Sequence, residues 1–524
     1  MTDEETKEDF EVFTMKLTQE LHMSQLYVEL KFTAKDLICS SNSDQGQMKQ
    51  HIQEGLSKTG WTRKLQNEVY RQLLKKFDAR SKDVTTEHIK EPLAYIRRAQ
   101  SSWEKRILKS LNSMCTELSV PLARKRPIPE QKEIRGAWNE LSVEEPDLSS
   151  FRPVYGPKDF LDMLTLLKNP NFASEQLSNF WGLLQLPYSV KSLSELRDEF
   201  KEMSPRWSQV GVDDGTDMQA EIFDTQRVRL GQRVLAAENM AVSQQFARRG
   251  VPPSLREELW LQIVGLRITD SDKLIYEQLK NYVFKHDLLV DKLIYKDVKL
   301  TATNDDQYFV FEDFIHQVLL LFSRDTTVLK HFAQSSATPP KSYIRGMLGV
   351  SDYAVVYPPN GIIPFHGFAM YVAPLCYVFD KPITLYYFFR EIYTRHLFRL
   401  HTISSHPQGI VSICILFESL LQACQPHLFY HLRQMGAHPL RLAFKWLMRA
   451  FSGYLASDQL LLLWDRILGF NSLEPLAILA VAIFAFRRVN LLETSSYAAA
   501  EAVLADITTI KVMPLLQVIL LPKD

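Results

Sequence analysis

The chain has 524 residues, enough for roughly two to four domains. Its hydrophobic fraction of 46% and charged fraction of 23% are typical of a soluble globular protein with a large core. The 61 basic and 61 acidic residues balance, so no overall field draws the chain to nucleic acid, a membrane or an acidic substrate.

The sequence carries no pattern typical of secretion or membrane insertion. Its five cysteines are scattered without a C-x-x-C pair, which favours a reducing compartment. The acidic start, MTDEETKEDF, has no apolar signal region. The most apolar run, Leu476 to Phe486, is far shorter than the roughly 20 residues that a membrane helix needs, and it predicts a buried core helix. We therefore expect a cytoplasmic protein that would reach membranes through a partner or a surface patch.

Apolar residues recur at helical spacing from the N-terminal region onwards. Every fourth residue from Trp61 to Phe77 is apolar, and a second apolar face runs from Ile96 to Leu118. Alternation with a period of two is scarce, and 19 glycines are too few for repeated strand-turn-strand units. The sequence predicts an all-α fold.

Three stretches interrupt this pattern and are predicted to be loops: 122–129, 204–216 and 333–361. The first, LARKRPIP, contains the basic run Arg124 to Arg126, which we interpret as a solvated linker. The third contains two Pro-Pro pairs, which oppose helix, and is predicted to be an insertion.

The string RGVPPSLREELWLQIVG at 249–265 predicts a helix with defined ends. Gly250 allows the chain to turn before the two prolines. Ser254, with a glutamate three residues later, matches a capping box. Trp260 flanks an apolar stripe, and Gly265 is placed to end the helix.

This string closely resembles the opening motif of TBC domains, the helical fold of Rab GTPase-activating proteins. Later strings follow in the family's order. Ile294 to Thr301 resembles the motif I-x-x-D-x-x-R-T, and Gly361 to Met370 stands where the family has Y-x-Q-G-M. Trp446 follows a leucine-rich helix and a short turn, and Trp464-Asp465 matches a late Leu-Trp-Asp step.

The resemblance covers about half of the chain, 245–490, and the predicted loops divide the part that precedes it. The divisions are an N-terminal helical region (1–125), helical segments and linkers (126–244), the TBC domain (245–490) and a C-terminal helical tail packing on it (491–524). We expect 1–125 to pack as a bundle of its own.

The resemblance also implies a partner, a small GTPase of the Rab family, and a mechanism. Family members supply an arginine finger, which neutralises charge on the phosphates and is worth about 10³–10⁵ in rate, and a glutamine that positions water. Such a protein regulates a partner GTPase and has no substrate or cofactor of its own.

Both finger positions depart from the family pattern. The arginine position is Leu300, which carries no charge or donor. Lys299 is adjacent but points about 100° away around a helix and lacks the guanidinium fork. The glutamine position is His366, which either fills a helix start or orients a water. Arg324 and Arg345 are the arginines that could reach the site from elsewhere.

We predict that Leu300 and His366 face one shared cleft. The residues expected to bind the partner are Arg256, Asp297, Lys299 and His366. The residues expected to be structural are Gly250, Trp260, Trp446, Trp464 and Asp465. The three tryptophans should be buried, and the Asp465 carboxylate should be hydrogen-bonded, because burying it unpaired is costly.

Three hypotheses remain open from the sequence. The chain is an active Rab GTPase activator, an inert TBC module that binds a small GTPase or another partner, or a scaffold whose N-terminal helices carry the function. Leu300 favours the second hypothesis over the first. His427 and His431, spaced i, i+4, are interpreted as structural histidines, and no metal site is predicted.

Overall fold

A computed structural model describes residues 14–15, 18–39, 45–80, 92–143, 147–167, 182–184, 186, 188–212, 217–304, 308–332, 342–345 and 354–520. The chain divides into two compact units, Met1–Phe77 and Asp78–Asp524, each of which is described by itself. The all-α prediction is confirmed, since 70% of the structure is helical.

The first unit contains amphipathic helices. They are α1 (Gln25–Cys39), α2 (Gln45–Lys58) and the start of α3 (Trp61–Arg80). Helices α1 and α2 meet at Gly55, where an added Cβ would lie 3.2 Å from Leu30 Cδ2. The predicted apolar face of α3 is exposed, with Leu65, Val69 and Leu73 at 43%, 41% and 46% of full exposure.

The second unit is a larger helical assembly. Its helices are α4 (Pro92–Leu118), α5 (Ile128–Gly136), α6 (Pro157–Thr165), α7 (Leu193–Glu199), α8 (Asp217–Ala237), α9 (Met240–Ala247), α10 (Arg256–Val264), α11 (Asp270–Lys285), α12 (Leu289–Asn304), α13 (Glu312–Arg324), α14 (Thr327–Phe332), α15 (Pro382–Arg395), α16 (Ile410–Cys424), α17 (Pro426–Gln434), α18 (Pro439–Met448), α19 (Ser457–Phe470), α20 (Glu474–Phe486), α21 (Arg488–Leu492), α22 (Tyr497–Val503) and α23 (Val512–Leu520).

Two short pairs of β-strands accompany these helices. They join β1 (Ala123–Lys125) to β2 (His286–Leu288) and β3 (Ser342–Arg345) to β4 (Ala354–Tyr357), both antiparallel. In the residues that the structure describes, each sheet has two strands, so the architecture stays helical.

The interpretation of the basic run at 124–126 as a solvated linker is wrong. Ala123 to Lys125 form β1, and Arg126 N donates to Lys285 O at 2.8 Å. Arg124 Nε donates to Asp287 Oδ2 at 2.8 Å. Because the strand partner and the balancing carboxylate are distant in sequence, the local pattern gave no sign of them.

The expected independent bundle over 1–125 is also wrong in its last part. Trp103, Ile107 and Leu111 of α4 are at most 3% exposed and belong to the core of the second unit. Trp103 packs against Tyr155 and Phe160, with ring centroids 5.0 and 5.3 Å apart. The amphipathic face of α4 is therefore buried against the segments that follow it.

In the core of the second unit, α20 packs against both α16 and α23. The apolar residues of α20 from Leu476 to Phe484 are buried, so this run is a core helix, as predicted. Among the described helices, none alone combines the length and apolar composition of a membrane span. Helices α16 and α17 do so as a pair, with a bend of 112° between them.

The two other predicted loops are described in part. Residues 204–212 pack within the second unit, where Val210 N donates to Arg249 O at 3.0 Å. Of the insertion at 333–361, β3 and 354–361 are described. Residues 213–216, 333–341 and 346–353 of these loops lie outside the described residues.

Candidate functional site

The opening motif forms a buried polar node with the late Trp-Asp step. Both oxygens of the Asp465 carboxylate accept from Arg256, at 3.2 Å each, and Oδ1 also accepts from Trp260 Nε1 at 2.8 Å. Val251 N donates to Asp465 Oδ2 at 3.1 Å. Asp465 is fully buried, so the prediction that its carboxylate is hydrogen-bonded is confirmed.

Arg256 therefore works inside the domain. It is 6% exposed and its donors are turned to Asp465 and to Val251 O. The guanidinium is thus directed at the interior, and the partner contact expected of Arg256 stays a prediction. The arginine of the motif joins α10 to α19.

The structural residues of the motifs lie where the sequence predicts them. Trp260, Trp446 and Trp464 are at most 1% exposed, as expected. Gly250 has φ of +91°, and an added Cβ would lie 2.7 Å from Val210 Cβ, so only glycine fits there. Gly265 ends α10 in the left-handed region, at φ 68°.

The capping box predicted at Ser254 is wrong. Helix α10 begins at Arg256, and its N-cap is Leu255, which has no side-chain cap. Residues Pro253–Leu255 form a short 3-10 turn in front of the helix. The second proline starts this turn and shifts the helix beyond the reach of the serine.

Helix α12 presents the arginine-finger motif at the surface. Ile294 and Val298 face the core and are at most 3% exposed. Leu293, Asp297 and Leu300 are spaced i, i+4 and i+7, which places them on one face. Leu300 is half-buried at this face.

Asp297 joins α12 to the glutamine-finger loop. Its Oδ1 accepts from Gly367 N at 2.6 Å, and its Oδ2 accepts from Ala369 N at 2.8 Å. His366 Nδ1 lies 3.6 Å from Oδ1. Asp297 is 7% exposed and both oxygens are used, so we assign it to holding the two finger positions together.

The loop at His366 is held from three further directions. Phe365 is buried, and His366 N donates to Tyr155 O at 2.9 Å. Gly367 has φ of +98°, and an added Cβ would lie 2.3 Å from Arg449 Nε. Arg449 Nη2 donates to His366 O at 2.9 Å. The His366 side chain, 42% exposed, is left at the surface.

These segments enclose one shallow, mainly apolar surface groove, the finger groove. Its lining is Pro153, Val154, Leu293, Lys296, Asp297, Leu300, Pro364, Phe365 and His366. The groove brings Leu300 and His366 together, which confirms the prediction of a shared cleft. The wall formed by Pro153 and Val154 was missed, because no local signal in 147–156 indicates which surface the segment covers.

Lys299, expected at the groove, and Lys296, which lines it, are both bound to neighbouring groups of the protein. Lys299 Nζ donates to Ser142 O and lies 2.7 Å from Glu312 Oε1. Burial lowers the pKa of Lys299, but the hydrogen bond and charge of Glu312 outweigh it and raise that pKa overall. Lys296 Nζ donates to the carbonyls of Leu148 and Phe151.

Neither candidate arginine is seen in the groove. Arg324 is fully buried and pairs with Asp291, with Nη2 donating to Oδ2 at 2.6 Å and to His286 O at 3.0 Å. The side chain of Arg345 lies outside the described residues. The groove lining, as far as the structure describes it, contains no arginine.

The geometry and the motif order indicate one family of proteins, and comparison with known sequences establishes that family. Residues 365–492 match the model of the family described as Rab-GTPase-TBC domain. The chain belongs to the TBC-domain family of Rab GTPase-activating proteins.

A particular relative covers nearly the whole chain. Human TBC1 domain family member 19 is 58% identical over 516 residues, 98% of this chain and 98% of that protein. The similarity thus extends well beyond the matched 365–492.

Solved structures with weaker likeness include two TBC domains. The Chlamydomonas flagellar RabGAP TBC domain has 14% identity and a TM-score of 0.42, covering 64% of this chain and 98% of that one. The Ypt/Rab-GAP domain of Gyp1p has 13% identity and a TM-score of 0.39, covering 57% and 96%. Family membership rests on the sequence comparisons and not on these scores.

Proposed function

We propose that this TBC protein binds a small GTPase of the Rab family at the finger groove and accelerates GTP hydrolysis weakly or not at all. Leu300 is the observation that carries the proposal. It occupies the arginine-finger position of α12, beside the Asp297 that ties the helix to the second finger loop. A hydrocarbon side chain there cannot neutralise charge on the transferred phosphoryl group.

The size of the missing contribution supports weak activity. An arginine finger is worth about 10³–10⁵ in rate, or roughly 4–7 kcal/mol of transition-state stabilisation. Lys299 and Arg324 are held by Glu312 and Asp291, and moving either would leave a carboxylate without its partner. Binding depends on surface shape and contacts, so it can persist without the finger.

We further propose that the TBC domain spans about 245–490 and that 491–524 is a helical tail on it. The chain is proposed to act in the cytoplasm and to meet membranes through its GTPase partner. Lys299 and His366 remain proposed partner contacts at the rim of the groove.

A hydrolysis assay with reconstructed fingers tests the activity. Wild type, Leu300→Arg, and Leu300→Arg with His366→Gln are compared on a Rab that binds the full chain. We expect Leu300→Arg to raise the rate about tenfold or more, and the double variant to raise it further, because each restores one transition-state contact.

Leu300→Lys is the matched control, because it adds the charge without the bidentate fork and should recover less. Binding to the same Rab is measured for every variant. Wild-type acceleration of about 10³ or more would contradict the proposal and would make Arg345 the next residue to substitute. A panel in which no Rab binds the wild-type chain would contradict the binding part.

A further inference from the structure

A segment from outside the proposed TBC domain forms a fixed wall of the finger groove. Pro153 and Val154 line the groove, and the next residue, Tyr155, accepts from His366 N. On the other side, Ser110 Oγ of α4 donates to Val154 O at 3.2 Å. Because Val154 and Tyr155 are at most 8% exposed and are held from both sides, this wall is a packed part of the groove.

A second opening adjoins the same wall. It is a cavity of about 220 Å³ that shares Pro153 and Val154 with the finger groove, and we call it the arginine cavity. Its polar lining consists of Arg106, Ser110, Arg152 and Asp159, with Trp103 beside them. The finger groove is mainly apolar and the arginine cavity mainly polar, and the two openings adjoin at Pro153 and Val154.

The arginine cavity has more positive than negative groups in its lining. Arg106 and Arg152 are half exposed, at 50% and 44%. Asp159 uses Oδ1 for Arg106, at 3.2 Å, and Oδ2 for Gly156 N, at 2.9 Å. Glu117, outside the lining, lies 3.8 Å from Arg152. Within the lining, two guanidinium groups thus stand with one carboxylate, and that carboxylate already accepts from Arg106 and Gly156 N.

One guanidinium of the cavity is held in place, and one buried N–H donor of its lining has no acceptor in the part of the chain that the structure describes. Arg152 Nη1 donates to Ser110 Oγ at 2.8 Å and Nη2 reaches Ser110 O at 3.4 Å, which fixes the guanidinium at the cavity edge. The indole N–H of Trp103 is buried and has no acceptor within the described residues. An anionic oxygen at this wall would receive charge-assisted hydrogen bonds from the arginines.

We propose that the arginine cavity is a second docking subsite for the GTPase partner and receives an acidic side chain of that protein. The proposal rests on the proposed function, because the cavity adjoins the finger groove at Pro153 and Val154. Charge complementarity selects the ligand: two half-exposed guanidinium groups favour a carboxylate, and planar forks bind it bidentately. The subsite lies outside 245–490, so partner choice would depend on the preceding region.

Charge reversal in the full chain tests the subsite. Dissociation constants are measured for a Rab panel loaded with a non-hydrolysable GTP analogue, at low and high salt. We expect Arg152→Glu and Arg106→Glu each to weaken binding about tenfold or more and to reduce its salt dependence. Arg152→Gln and Arg106→Gln, which perturb folding less, should weaken it less. Arg267→Glu is the control, because Arg267 is 77% exposed, lines neither opening, and should change binding less than twofold.

The outcomes separate the subsite from the proposed function. If the wild-type chain binds a Rab and the reversals of Arg106 and Arg152 leave affinity unchanged, the subsite proposal is overturned while the function stands. If no Rab binds, the function fails, and an acetylated Leu-Asp-Glu-Glu peptide is used instead. Its protection of Arg106 and Arg152 from phenylglyoxal, read by mass spectrometry, would support the subsite, and absence of protection would overturn it. Arginine-dependent binding to phosphatidylserine vesicles would also overturn it in favour of a membrane surface.

Discussion

Asp297 shows that a motif residue can hold the geometry of a site even where the catalytic residue of the same motif is replaced. The family motif pairs this aspartate with the arginine three residues later, and here the arginine position is leucine. The carboxylate nevertheless accepts from two backbone N–H groups of the second finger loop. Retaining the aspartate keeps α12 and the loop in register, and Leu300 and His366 still share a groove.

Asp297→Asn should lower the free energy of unfolding by about 1–3 kcal/mol. An amide has one oxygen, so either Gly367 N or Ala369 N would face an NH₂ group and remain buried without an acceptor. Urea unfolding of the full chain measures the change. Asp270→Asn is the control, since Asp270 is 94% exposed and its loss should cost no more than about 0.5 kcal/mol. Equal effects of the two substitutions would show that Asp297 is not a buried bridge.

At the level of secondary-structure elements, the sequence predicts what depends on neighbouring residues. Helical spacing identified α4 and α20, and Gly265 marked the end of α10. The sequence-based prediction missed β1, because the partner strand β2 is distant in sequence. It also missed the wall at Pro153 and Val154. Tertiary contacts determine both features, so periodicity and capping patterns carry no information about them.

Helix α16 carries a buried carboxylate that anchors a remote segment. Both Glu418 oxygens accept from Leu183 N, at 2.8 and 2.9 Å, and Oε2 also lies 3.4 Å from Leu184 N. Burial raises the pKa of Glu418 to about 7, although the two backbone hydrogen bonds and the charge of Arg433 lower it. The folded chain therefore holds this proton to a higher pH than the unfolded chain does.

Glu418→Gln should change how stability depends on pH. The folded pKa of Glu418 is above the unfolded value of 4.5. The contribution of the protonated side chain to the free energy of unfolding is therefore complete below pH 4.5 and is lost as the pH rises through about 7. Relative to wild type, the variant should gain about 2–3 kcal/mol of unfolding free energy between pH 5 and pH 8. Urea unfolding across this range measures the difference. Glu501→Gln, at a half-exposed site, should follow the wild-type curve, and a parallel Glu418→Gln curve would contradict the raised pKa.

For the molecule as a whole, the TBC motifs share a core, a strand pair and a groove with what precedes them in the second unit. Strand β1 pairs with β2, and the groove takes a wall from 153–154. Helix α4 buries Trp103, Ile107 and Leu111 in the same core that contains the later helices. The motifs locate the family domain, but the folded unit and the binding surface both extend upstream of it.

This dependence predicts different behaviour for two fragments. A fragment of 92–524 should unfold within about 5 °C of the full chain, because it keeps α4, β1 and the 151–167 segment. A fragment of 245–524 loses several large buried side chains, each worth about 1.5–3 kcal/mol, and leaves β2 unpaired. With roughly 1–2 °C of melting temperature per kcal/mol for chains of this length, it should melt more than 10 °C lower or show no cooperative transition. Circular dichroism melts of both fragments and the full chain measure this. A sharp transition of 245–524 near that of the full chain would show that the motif-defined domain folds alone, and that the upstream segments only rest on its surface.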